Sequence, residues 1–177
     1  NDFALARYNA DGTLDSDFGN GGKVMTPVGA ANDWAYSVAL QSDGKIIMAG
    51  ASANASDNDM ALVRYNANGS LDAAFGTGGK VTIAIGAAND QASTVAVQGE
   101  GKIVAAGASW NGSNFDMALA RINANGSLDA SFGSGGKVTT VVGSGEDVAH
   151  HMTLQNDGRI VVAGRSYSGT SYDFALL

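Results

Sequence analysis

The apolar residues of this chain fall in runs of four to eight, separated by short polar turns rich in Gly, Asn and Asp. Phe3-Ala4-Leu5-Ala6-Arg7-Tyr8 alternates in character and stops at Asn9-Ala10-Asp11-Gly12. The segments Lys23–Val28, Trp34–Leu40 and Lys45–Ser52 behave alike, the last two joined by Asp43-Gly44. Runs of this length bounded by Asp-Gly or Asn-Gly read as short strands linked by tight turns, because those dipeptides accept the positive φ that such turns require. No window keeps apolar residues at i, i+3, i+4 and i+7, so almost no helix is expected.

The pattern has a fixed period. Gln41–Gly50 returns as Gln98–Gly107 and again as Gln155–Gly164, each displaced by 57 residues. Three units follow, 1–57, 58–114 and 115–171, with 172–177 beginning a fourth; the first two agree at about 35 of 57 positions. Each unit carries four strand signals. Tandem four-stranded antiparallel units predict an all-β fold, a β-propeller built of blades. A β-trefoil is the rival, but Tyr172–Leu176 adds a thirteenth strand for which a closed threefold body has no slot. Three blades are too few for a ring. Two chains would complete a six-bladed ring, or the units would continue in a longer array, and an open array exposes strand edges that invite pairing. A dimer is therefore expected.

The motif Gln-x-Asp-Gly-Lys-Ile-x-x-Ala-Gly, followed by Asp-Phe-Ala-Leu-Ala-Arg-Tyr-Asn and Leu-Asp-x-x-Phe-Gly-x-Gly-Gly-Lys-Val, resembles the delta-sixty repeat of bacterial proteins. The resemblance covers the whole chain three times over. It implies a propeller blade similar to the NHL blade, in large proteins that are often secreted or displayed at the cell surface. It implies no enzyme activity and brings no catalytic residues. By analogy with that blade, Trp34–Leu40 would be the innermost strand.

Composition narrows the function classes. Seventeen acids against ten bases give a net charge of -7, which repels a phosphate backbone and makes nucleic acid an unsuitable partner. No apolar run approaches the length of a membrane span, so no membrane insertion is expected. With no cysteine there is neither a disulfide nor a thiolate metal site. The Asn, Ser, Thr and Gly content, with few Lys, leans toward an exported bacterial protein, extracellular or at the cell surface. A chain starting at Asn1 without Met points to a processed product or a piece of something longer.

Positions that recur in every unit read as scaffold. Gly44, Gly101 and Gly158 serve the hairpin turn, and Gly50, Gly107 and Gly164 interrupt a strand where a backbone must approach closely. Arg7, Arg64 and Arg121 lie in apolar strands, and each is expected to pair with its own unit's Asp15, Asp72 or Asp129. Asp11, Asp15 and Asp17 imitate part of a calcium loop, but Asn68, Asn125, Ala74 and Ser131 break the set in later units, so capped turns are expected and no metal or other cofactor.

Positions that differ between units read as candidate site. Trp34, Tyr36, Gln91, Trp110, Asn111, His150, His151, Tyr167 and Tyr172 are expected to rim one face, opposite the uniform Asp-Gly turns. Their aromatic and amide groups suit a protein edge or a sugar. Consecutive strand residues point apart, so His150 and His151 are not expected to share a metal. The leading expectation is a non-catalytic module for protein interaction, adhesion or scaffolding. A carbohydrate-binding lectin is the alternative, and a propeller hydrolase or lyase a remote one.

Overall fold

A computed structural model describes residues 1–177, and its thirteen strands all pair antiparallel. They are β1 (Phe3–Ala6), β2 (Lys23–Thr26), β3 (Asp33–Leu40), β4 (Ile46–Ala53), β5 (Asn58–Tyr65), β6 (Lys80–Ile83), β7 (Asp90–Val97), β8 (Ile103–Trp110), β9 (Phe115–Ile122), β10 (Lys137–Thr140), β11 (Asp147–Leu154), β12 (Ile160–Tyr167) and β13 (Tyr172–Leu176). The single helical element is one 3-10 turn at Gly99–Gly101. There the second unit carries Glu100 where the others have Asp, and Glu100 takes φ 63°.

The strands form four separate sheets: β1-β2, β3-β4-β5-β6, β7-β8-β9-β10 and β11-β12-β13. Each is a meander in chain order, an arrangement of independent blades rather than of a trefoil. The sheets are offset from the 57-residue units. A complete sheet starts at Asp33 or Asp90, so each unit contributes the last two strands of one sheet and the first two of the next.

Strand ends depart from the sequence expectation for a definite reason. The second strand was expected to run to Val28 but stops at Thr26, and its equivalents stop at Ile83 and Thr140. In each case the buried carboxylate of Asp33, Asp90 or Asp147 accepts the N–H of Val28, Ile85 or Val142 at 2.7 Å. That bond turns the backbone out of the ladder before the next strand begins. The first strand likewise stops at Ala6, with Tyr8 held only by an isolated bridge to Leu14.

Packing follows the period-2 alternation. In β4, Ile46 and Met48 face the preceding sheet and join Phe3, Phe18 and Tyr65, while Ile47 and Ala49 face the following sheet and join Ile103, Ala105 and Ile122. A third cluster repeats the scheme with Val104, Ala106, Met117, Ala149 and Val162. The core is a series of layers between sheets, and each sheet packs on its neighbours alone. A fully buried Leu, Ile or Phe in such a layer contributes about 1.5–3 kcal/mol.

Candidate functional site

One end of each repeat is built on the same ion pair. Arg7, Arg64 and Arg121 donate through Nε to Asp15, Asp72 and Asp129 at 2.7, 2.7 and 2.8 Å. Each guanidinium also lies over a ring, Phe18, Phe75 or Phe132, at 4.4, 4.5 and 4.6 Å. Two of them bridge to the following unit, Arg7 Nη1 donating to Ala67 O at 2.5 Å and Arg64 Nη1 to Ala124 O at 2.6 Å, while Arg121 Nη2 donates to Ser131 Oγ at 3.2 Å. Lys45 and Lys102 add a second cation to Asp72 and Asp129, at 3.1 and 2.7 Å. Burial alone would raise the Asp72 carboxyl, but the Lys45 ammonium, the Ala74 N–H and Arg64 override it and hold it below the usual range. Lys102, then the Ser131 hydroxyl, hold Asp129 lower still.

Two of the three calcium-like aspartates, Asp11 and Asp15, accept bonds from the chain itself. Asp11 accepts both the N–H and the hydroxyl of Thr13, at 2.9 and 2.6 Å, and Asp15 accepts the N–H of Asp17 at 3.1 Å. These are capped turns.

The opposite end of the blades diverges, and a backbone device organises it. In β3, β7 and β11 the pairing slips by one residue, leaving Tyr36, Ser93 and His150 without a partner across the ladder. Gly50, Gly107 and Gly164 stand opposite each slip, and a Cβ on any of them would run into the carbonyl oxygen of Trp34, Gln91 or Val148. Glycine thus admits a β-bulge, and a bulge re-aims the residue it carries.

The three bulged residues converge. Tyr36, Ser93 and His150 line one open cleft of about 450 Å³ together with Gln91, Val148, Phe115, Glu146 and Arg165. Arg165 donates to Glu146 through both Nε (3.1 Å) and Nη2. A smaller hollow of about 400 Å³ adjoins it, sharing His150 and Arg165 and adding Tyr172, whose ring lies 5.0 Å from the Arg165 guanidinium. Two further hollows, of about 470 and 520 Å³, sit beside Lys80 and Lys137. They occupy the same place in successive units and belong to the scaffold.

The nine residues expected to rim one face are therefore divided. Tyr36, Gln91 and His150 meet in the cleft and Tyr172 in its annex. Trp110 packs edge-on to Phe115 at 5.2 Å, and Tyr167 against Tyr172 at 5.2 Å. Asn111 caps its own loop, donating to Asn114 and Asp116 at 2.7 and 2.9 Å. Trp34 and His151 sit in the ladder, paired with Ala51 and Ala163, and line neither hollow. Glu146 and Arg165 went unnoticed in the sequence, although the copies carry the signal. Arg165 replaces Ala51 and Ala108, and Glu146 replaces Asn32 and Asn89.

No helix is long and apolar enough to cross a membrane. Among curated proteins, none matches this chain. A family described as a domain of unknown function (DUF5122), beta-propeller, matches residues 1–18, 41–75, 98–132 and 155–177. The matched stretches hold the Arg–Asp–Phe knots and the Asp-Gly hairpins. Those between them hold β3, β7 and β11 with the bulged residues. The match spans more than half of the sequence, and the chain belongs to the DUF5122 β-propeller family.

Proposed function

We propose that the chain is a non-catalytic binding module. Its sheets are blades of a closed β-propeller, and its cleft takes a polar partner, a protein segment, in an exported or surface protein of a bacterium. One observation carries the reading: the three residues freed from the ladder by the bulges, different in every unit, line a single cleft. A scaffold that repeats its turns, ion pairs and bulges while varying the side chains it aims at one place is organised for recognition. Tyr36 offers an aromatic face, while Gln91, Ser93 and His150 offer donors and acceptors. The Glu146 carboxylate is engaged by Arg165, which suits a fixed polar wall better than a free general base.

A carbohydrate is the second reading, favoured by the same neighbourhood of one aromatic ring and several hydrogen-bonding groups. The test is binding of the fluorescently tagged chain to arrayed short peptides and arrayed glycans, repeated with a Tyr36→Ala/His150→Ala double variant. Signal on one array, lost in the variant at unchanged melting temperature, assigns the partner class. Signal that survives the double variant removes the cleft from the proposal.

A further inference from the structure

Four asparagines in this chain precede a glycine: Asn20, Asn68, Asn111 and Asn125. An Asn-Gly pair can close on itself, because no Cβ on the glycine shields its backbone nitrogen from the asparagine carboxamide carbon. Two things hinder that closure in a folded chain. The carboxamide is tied down by its own hydrogen bonds, or the glycine N–H is engaged as a donor.

Three of the four pairs are held. Asn68 Oδ1 accepts the N–H and the hydroxyl of Ser70 at 3.0 and 2.7 Å, and the Gly69 N–H donates to Asn66 O at 2.9 Å. Asn125 repeats this with Ser127, at 3.0 and 2.8 Å, and Gly126 donates to Asn123 O at 2.9 Å. The Gly112 N–H has no backbone acceptor, but the Asn111 carboxamide is clamped. It accepts the N–H groups of Ser113 and Asn114 and donates to the side chains of Asn114 and Asp116.

Asn20 escapes both restraints. Neither its carboxamide nor the Gly21 N–H has a hydrogen-bond partner in the chain. Both residues are exposed, and a Cβ on Gly21 would meet nothing within 4 Å. The equivalent pairs Thr77-Gly78 and Ser134-Gly135 are exposed as well, so the accessibility belongs to the turn in every unit. The turn is also looser in the first unit. Thr77 O and Ser134 O accept the N–H of Lys80 and Lys137, both at 3.3 Å, whereas Asn20 O accepts nothing from Lys23. Only the Asn20 N–H, donating to Lys23 O at 2.8 Å, closes the first turn.

We propose that Asn20 is a site of self-modification, converted by intramolecular attack to aspartate and isoaspartate. The Gly21 nitrogen gives its proton to water and bonds to Asn20 Cγ. The bond from Cγ to the carboxamide nitrogen breaks, and that nitrogen takes up a proton and leaves as ammonia. Water then opens the succinimide ring. Opening at Cγ gives aspartate; opening at the main-chain carbonyl gives isoaspartate, whose main chain runs through the former side chain. Nothing is oxidised or reduced, and water is the one co-reactant. Either product adds one negative charge to the net -7. The turn stands where the first two units meet, since the adjoining Gly19 N–H donates to Asn68 O at 2.9 Å. The lengthened isoaspartate backbone therefore loosens that junction as the protein ages.

The experiment incubates the folded 177-residue chain in neutral buffer and follows its tryptic peptides by mass spectrometry over time. Cleavage after Lys and Arg puts the four pairs in separate peptides, 8–23, 65–80, 103–121 and 122–137. Asn20 is expected to convert at least about tenfold faster than the other three, since each of those must first give up two or more hydrogen bonds. In urea all four are expected to convert at comparable rates. Asn20→Thr, which installs the residue of the second unit, is expected to abolish the mass gain in peptide 8–23. Equal rates at the four pairs of the folded chain overturn the proposal. So does an Asn20 that persists in the folded chain while it converts in urea, or a mass gain in peptide 8–23 that survives Asn20→Thr.

Discussion

The two ends of each blade solve opposite problems with the same strands. At one end Arg64 is 4% exposed, clamped by Asp72, stacked on Phe75 and bonded to the next unit. At the other, Tyr36 is 53% exposed and unpaired in its ladder. Where the units agree, side chains brace one blade against the next. At the bulges, where they differ, a side chain has been released from the ladder and faces a shared space. Agreement between copies therefore marks mechanical duty here, and disagreement at the bulged positions marks the lining of the cleft.

The sharpest way to break this contrast is to unmake the knot. Arg64→Leu removes the Nε bond to Asp72, the ring contact with Phe75 and the bond to Ala124 O, leaving Asp72 to Lys45, and should cost about 2–3 kcal/mol in urea unfolding. Arg7→Leu, whose guanidinium side chain is 37% exposed, should cost well under half of that. Equal losses would mean that burial does not set the strength of the brace. Next comes Gly107→Ala, where the added methyl meets the Gln91 carbonyl; a loss of about 2–3 kcal/mol is expected. A neutral result would show that the bulge does not depend on glycine.

Acid should loosen the braced end selectively. Asp72 and Asp129 titrate below their ordinary value of 3.8 in the folded chain, so the stability they lend is complete above that value. It is lost as pH falls toward the lower folded values. Asp90 is raised by burial, against the pull of Ser109, and works the other way: its contribution is present at low pH and lost as pH rises through its folded value. Melting followed below pH 5 should therefore show a shallower acid decline for Asp72→Asn and a steeper one for Asp90→Asn. The smallest effects belong to the cleft. Tyr36→Ala, Ser93→Ala and His150→Ala should each change stability by no more than about 0.5 kcal/mol. A loss above 1 kcal/mol at any of them would recast that residue as packing.

Much of the scaffold was readable from the chain alone because it is written three times. The Asp-Gly and Asn-Gly turns set the strand boundaries, and an Arg eight residues before an Asp in every unit located the ion pairs. What stayed hidden depends on backbone geometry. Gly50 announces a close approach but not that pairing slips beside it, and the slip decides that Tyr36 reaches the cleft while Trp34, two residues earlier, stays in the ladder. The partnership of Lys45 with Asp72 crosses from one hairpin to another and has no local signature. Arg165 and Glu146 belong to no motif: their only signal is an alanine replaced by a cation and an asparagine by a carboxylate in one unit of three.

The bulge has a consequence for how such a chain can change over time. A residue inside a ladder answers to its cross-strand neighbour and to the layer beneath, so most replacements there are rejected. The spare residue at each slip answers to neither. A lineage could exchange tyrosine, serine or histidine at that spot while the supporting architecture stayed silent. Every added repeat would bring one more such interchangeable letter to the same reading frame.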